Sequence, residues 1–187
     1  MVQQASSAVA DRVSTWAIDP AHSHIEFSAK HMMFTTVKGR FGQVKGTLTV
    51  DDGDPTRSRV DVEIDANSID TRTDQRDTHL RSADFLDVEN NPVITFTSTN
   101  VEVVSEDELK VTGDLTIRGV TRPVTLKTTI NGRGTNPFGK QVAGFSAEAS
   151  INRKDFGLNW NVAIEAGGVL VSETVKISLE IQAVKEA

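Results

Sequence analysis

From Thr15 onward, hydrophobic and polar residues alternate with a period of two. In "HSHIEFSAKH", Ile25, Phe27, Ala29 and His31 share one side, and His24, Glu26, Ser28 and Lys30 the other. "GRFGQVKGTLTV" follows after a tight connection, its glycines predicting a bend or bulge. Further on, Val60, Val62 and Ile64 alternate with Asp61, Glu63 and Asp65, and "VITFTSTNVEVV" is a further strand. "ELKVTGDLTIRGVTRPVTLKTTI" reads as a hairpin turning at Arg118–Thr121. Near the C-terminus, Phe145, Ala147, Ala149 and Ile151 line one face, and Val175, Ile177, Leu179 and Ile181 another. Period two is the signature of a strand with one covered and one wet side.

One stretch breaks the pattern. "SIDTRTDQRDTHLRSADFLDVENNP" is polar, and Thr71-x-x-Asp74 fits a capping box, predicting a short helix over about 72–81. Leu80, Phe85 and Leu86 would pin it to the body, and Pro92 ends it. Residues 1–13 are small and polar and read as a disordered or frayed lead-in; 14–187 form one domain. The result is an all-β chain of about eight antiparallel strands. Closure into a barrel removes the open edges, and a two-sheet sandwich is the competing solution. Long strands and the Gly, Ala and Ser residues on interior-type faces favour the barrel, because small lining residues leave room for a guest.

Composition narrows the function. The net charge of −6 argues against a nucleic-acid partner and disfavours an anionic membrane surface. The absence of cysteine removes disulfides and thiolate chemistry. There is no apolar run of roughly 18 residues to span a membrane. "MVQQASSAVADRVSTW" lacks the charge and apolar stretch of a secretory signal, so the expectation is a cytoplasmic protein, or a periplasmic one if a signal has been removed.

Candidate chemistry is thin. His22 and His24, about 6–7 Å apart on one strand face, could hold a metal with a third ligand such as His79, which makes a metal-dependent enzyme or metal carrier the alternative reading. The plainer reading is a polar face of hydrogen-bonded histidines. Gly144-Phe145-Ser146 is half a nucleophile elbow and lies mid-strand; the carboxylates sit in turns or on wet faces. "DDGD" lacks the remaining ligands of a calcium loop. No catalytic constellation and no cofactor motif is present. Met32-Met33-Phe34 reads either as a soft lip for an apolar ligand or as the hydrophobic end of a strand.

Four stretches, in order, resemble one family. They are "WAIDPAHSHIEFSAKHMMFTTVKGRF", "RDTHLRSADFLDVENNPVITFTS", "LTIRGVTRPVTL" and "INRKDFGLNW". Together, over roughly residues 15–184, they resemble the YceI-like polyisoprenoid-binding proteins. The resemblance implies an eight-stranded, lipocalin-like antiparallel β-barrel. Its lumen would hold a long isoprenoid or related lipid, of polyprenyl or quinone-precursor type, without catalysis, for transport, storage or sequestration. Members are often homodimers and often periplasmic. Combined with the alternation, the resemblance places Ile25, Phe27, Ala29 and His31 on one tunnel wall. Phe41, Phe145, Ala147 and Phe156 become further contacts, with Trp160 at an end. Asn152 and Arg153 become head-group candidates, with a cap on the barrel end as the equally weighted role.

Overall fold

Pro20 divides the first long strand into two. The computed structural model describes residues 12–165 and 167–187. β1 (Val13–Ile18) ends at a 3-10 turn, Pro20–His22, and β2 (His24–His31) starts in a new direction. The corner is tied to the last strand: Gln182 Nε2 donates to Asp19 Oδ2 at 3.1 Å, and its backbone N–H donates to Ser23 Oγ at 3.1 Å. The expected lead-in at 1–13 lies outside the described residues except for Arg12 and Val13, and Val13 already opens β1.

The other strands are β3 (Thr35–Phe41), β4 (Val44–Asp51), β5 (Arg59–Asp65), β6 (Ile69–Asp70), β7 (Val93–Val103), β8 (Glu108–Ile117), β9 (Val120–Thr135), β10 (Gln141–Asn152) and β11 (Thr174–Lys185). Every pairing is antiparallel. Eight of them close a ring in the order β1-β4-β5-β7-β8-β9-β10-β11 and back to β1. The sandwich alternative is thereby excluded. β11 pairs with β10 along one edge and divides the other between β1, through Ala183–Lys185, and β2, through Lys176–Glu180. β2 carries β3 and the short β6 away from the ring, so the barrel is flared on that side.

Two local expectations need correction. The helix α1 runs Asp74–Arg81, and the capping box does not form: Thr73 is the N-cap and makes no side-chain cap bond. Arg72 adopts a φ of +63°, which turns Thr71 inward toward the helix instead. There the buried Asp77 carboxylate accepts from the Thr71 backbone N–H at 2.9 Å and from its hydroxyl, and Arg76 Nε donates to Thr71 Oγ1 at 2.7 Å. The hairpin turn is two residues, Arg118–Gly119, both with positive φ. That geometry matches the strand twist, so pairing continues through Thr116↔Thr121 and Ile117↔Val120.

Two packed regions occupy the barrel. At one end Trp16, Ile18, Ile25, Val44, Leu48, Ala143 and Ala183 are buried together. Toward the flared end, Ile69, Phe85, Leu86, Ile94, Phe96, Phe156 and Leu158 belong to a second cluster. Glycine sets the spacing where aromatic rings cross strands. A Cβ on Gly113 would stand 2.5 Å from Phe96 Cζ, and one on Gly39 would run into the ring of Phe27.

Candidate functional site

The barrel interior is built from the faces that alternation points inward. On β11 these are Val175, Ile177, Leu179 and Ile181; each is half-buried, while Lys176, Ser178 and Glu180 between them are exposed. β10 presents Ile151, Ala149, Ala147 and Phe145 directly opposite. β5 presents half-buried Val60, Val62 and Ile64, and β9 half-buried Leu126 and Ile130. In a barrel filled by its own side chains, aliphatics of central strands lose nearly all their accessible surface. Here a band of inward residues keeps some of it. Phe41, Val62 and Ile64 in that band touch both packed clusters.

Of the four residues expected on the first wall, Ile25, Phe27 and Ala29 share one face of β2 with their side chains buried or half-buried. Ile25 is buried opposite Leu179 and Phe41; Phe27 stands opposite Ile177 and Gly39; Ala29 stands opposite Val37. The rings of Phe27 and Phe41 are 5.7 Å apart, tilted by 44°. His31 is exposed at the rim, opposite Thr35 and bridged to Val171. Phe145 lies between Ile181 and Ile130, and Ala147 between Leu179 and Thr128. Phe156 differs from this group: at 1% exposure it is enclosed by protein and presents no surface to a guest.

Trp160 sits at the flared end in a trio of rings. His79 meets its indole edge-on at 4.6 Å, and Phe85 stands 5.3 Å away. His79 Nε2 is also 2.8 Å from Asp84 Oδ2. The trio joins α1, the segment after it and the chain beyond Gly157. Alternation could not reveal it, because none of the three residues lies in a strand.

The two head-group candidates hold the chain itself. Arg153 is 4% exposed, and its guanidinium donates to the carbonyls of Ser172, Leu158, Trp160 and Val171 at 2.6–3.3 Å. Burial pulls its pKa below the ordinary value, with Glu173 acting in the opposite direction. All three of its nitrogens are engaged in pinning the 158–172 segment onto the end of β10. Asn152 Oδ1 caps the 3-10 turn Arg153–Phe156 by accepting from Lys154 N–H at 3.0 Å.

The shared face expected for His22 and His24 does not form, because Pro20 puts His22 in the 3-10 turn. His22 Nδ1 is 2.7 Å from Asp19 Oδ2, a contact that lowers the Asp19 pKa. His24 stands opposite Glu180 on the outer surface, and His79 is in α1. Among the described residues no group of three or more His, Cys, Asp or Glu side chains is gathered to hold a metal ion. No helix among them is long and apolar enough to cross a membrane.

The far end is closed by another element of the site absent from the sequence reading. Trp16 is 3% exposed, and the Arg133 guanidinium lies 5.6 Å from the centre of its ring. Arg133 Nη1 also donates to Asp52 Oδ1 at 2.7 Å. The inward strand faces are therefore apolar, with Trp16 packed at one end of the barrel and His31, the Met32–Phe34 turn and Trp160 standing at the other.

Comparison with known proteins agrees with this architecture. A family model described as YceI-like domain matches residues 16–183. Protein YceI of Salmonella newport (strain SL254) is 40% identical over 165 residues, covering 88% of this chain and 83% of that protein. The crystal structure of a Campylobacter jejuni YceI protein superposes with a TM-score of 0.73 at 30% identity, covering 84% of this chain and 90% of that one. A polyisoprenoid binding domain from Saccharophagus degradans, implicated in plant cell wall breakdown, shares the fold with a TM-score of 0.68 at 16% identity, over 91% and 98% of the two chains. With a closed eight-stranded antiparallel barrel and these matches over most of its length, the chain belongs to the YceI-like family.

Proposed function

We propose that the protein binds a long-chain isoprenoid or related lipid in the barrel lumen, without catalysis, as a carrier or store. The observation that carries this reading is the half-buried inward face of β11, continued onto β10, β5 and β9, between two packed ends. An apolar surface left accessible inside a barrel is stabilised by any slender apolar guest that covers it. At about 0.8 kcal/mol per buried methylene, roughly 20 buried carbons give a gross gain near 16 kcal/mol, of which ordering the chain cancels about half or more. Chain length should therefore govern affinity more than head-group chemistry. The polyisoprenoid-binding neighbour supports the ligand class, and the family's frequent pairing supports a homodimer as the working assembly.

The test is extraction of the purified protein into organic solvent with mass spectrometry of the extract, alongside native mass spectrometry of the intact complex. About one prenyl-type molecule per barrel is expected. Protein that emerges empty and takes up no added prenyl alcohol or prenyl quinone overturns the reading.

A further inference from the structure

The turn joining β2 to β3 puts apolar side chains into solvent at a conformational cost. Phe34 is 80% exposed, Met33 59% and Met32 41%. Met32 and Met33 have φ values of +50° and +68°, a region that favours Asn and Gly and penalises an unbranched side chain with no local hydrogen bond to offer. Phe34 N–H closes the turn on His31 O at 3.2 Å. Val162, 47% exposed, lies beside this tip: Met32 N–H donates to Leu170 O, and Leu170 N–H donates to Val162 O. Four apolar side chains thus stay exposed on neighbouring segments at this end of the barrel.

Beneath these side chains is a basic band. Ser28 stands opposite Lys38 on β3 and Lys176 on β11, so these two lysines flank it on the outer face. Lys30 is the next outward residue toward the tip. All three lysines are exposed, and none of them forms a salt bridge among the described residues. Of the carboxylates on this part of the surface, Glu173 pairs with Lys154, Asp70 with Arg40, and Glu26 lies one outward position further from the tip, while Glu165 is exposed in the loop that follows Val162. The net charge of −6 is therefore not spread evenly. An apolar tip above a collar of unpaired lysines is the arrangement that enters a bilayer interface carrying anionic headgroups.

We propose that the Met32–Met33–Phe34 tip, with Val162 beside it, docks the barrel mouth onto a lipid bilayer bearing anionic phospholipid, with Lys30, Lys38 and Lys176 meeting the headgroups. This surface goes beyond lumen binding and does not depend on it. An empty barrel that docks would overturn the carrier reading alone; a lipid-filled barrel that ignores bilayers would overturn this proposal alone.

Co-sedimentation of the full chain with sucrose-loaded vesicles tests it, using phosphatidylcholine vesicles with and without phosphatidylglycerol. The protein should sediment with the phosphatidylglycerol vesicles and be released by high salt. Replacing Met33→Ser together with Phe34→Ser should lower the partition about ten-fold or more. Each of Lys30→Gln, Lys38→Gln and Lys176→Gln should lower it about five-fold. Phe138→Ser removes an equally exposed ring, 88% accessible, from the hairpin loop at the other end of the barrel, and should change nothing. Independently of these, Phe34→Trp should be quenched by brominated lipid above the signal of the unsubstituted protein. Failure of the protein to sediment with either vesicle, an unchanged partition in the Met33→Ser/Phe34→Ser variant, or loss of binding in Phe138→Ser overturns the proposal; the last would assign the contact to the opposite end or to another partner.

Discussion

The guanidinium of Arg133 lies over the indole of Trp16, 5.6 Å from the ring centre, and reaches past it to Asp52. One residue from the long β9 arm thereby covers the ring that fills the barrel floor. Arg133 is exposed, so Arg133→Ala should cost only about 0.5–1 kcal/mol. Trp16 is buried, and Trp16→Ala should cost about 3–5 kcal/mol. Urea denaturation of the two variants checks the contrast; equal effects would mean that the cation, and not the ring, holds the floor.

A substitution that adds volume distinguishes a vacant sleeve from a packed one. Ala149 faces inward opposite Ile177, and both are half-buried. If accessible space lies between them, Ala149→Phe fills it with little change in unfolding free energy and weakens binding of prenyl lipid about ten-fold or more. In a sleeve already filled, the same change would overpack the interior and cost about 1–3 kcal/mol. Paired measurements of stability and lipid uptake decide between the two.

Gly39 and Phe27 make a close approach that has no slack. Gly39→Ala puts a methyl group into the Phe27 ring and against Thr71 Cγ2. The expected loss is about 1–3 kcal/mol. Phe27→Leu in the same chain should return part of it. A double-mutant cycle with no coupling between the two positions would refute the steric account.

Arg153 illustrates a buried cation whose value lies in what it organises. Arg153→Met leaves the carbonyls of Ser172, Leu158, Trp160 and Val171 without their donor, at a cost of about 3 kcal/mol or more. Hydrogen exchange should speed up chiefly over 158–172, with the barrel ladders still protected. Uniformly faster exchange throughout the barrel would contradict this local role.

Three carboxyl groups have folded pKa values below their ordinary ones. The His22 hydrogen bond lowers the pKa of Asp19, the backbone N–H of Arg72 that of Asp70, and the Lys154 hydrogen bond that of Glu173. A carboxyl whose folded pKa is depressed contributes stability that is present above its unfolded value and lost as pH falls through the folded one. Stability should therefore hold as pH falls to the ordinary values of 3.8 for the aspartates and 4.5 for Glu173, then decline below them. Asp19→Asn should lower stability at neutral pH, leave it almost unchanged at the acid extreme and so flatten the acid limb, as urea unfolding from neutral to acid pH would show.

The sequence made the inward faces readable wherever a strand is long. Ile25, Phe27 and Ala29 share their face because a bulge-free β2 preserves period two, and the same holds for β11. The fork at Ser23 was signalled by Pro20, but its consequence for His22 depends on Gln182, more than 150 residues away in the chain. Phe156 reads as a lumen contact from its neighbours, yet it sits in a 3-10 turn where alternation has no meaning, and the structure encloses it. Arg153 gives no local hint of burial, since a charged side chain is expected outside and its acceptors are backbone carbonyls of a loop, at Leu158, Trp160, Val171 and Ser172. The ring trio at the mouth was hidden for the same reason: loops carry no period.

β11 is both the last strand of the chain and the partner of the first two. Its pairing with β1 is three residue pairs long, and it is the only joint that shuts the ring among the described strands. The two edges of that seam come from opposite termini, so a nascent chain can build seven staves while still on the ribosome and remain an open sheet. Only once Thr174–Lys185 are in place can the tube shut, and until then its greasy inner wall faces the solvent. Clipping those residues would leave β1, β2 and β10 each with an unpaired edge, the kind of surface on which neighbouring copies stack.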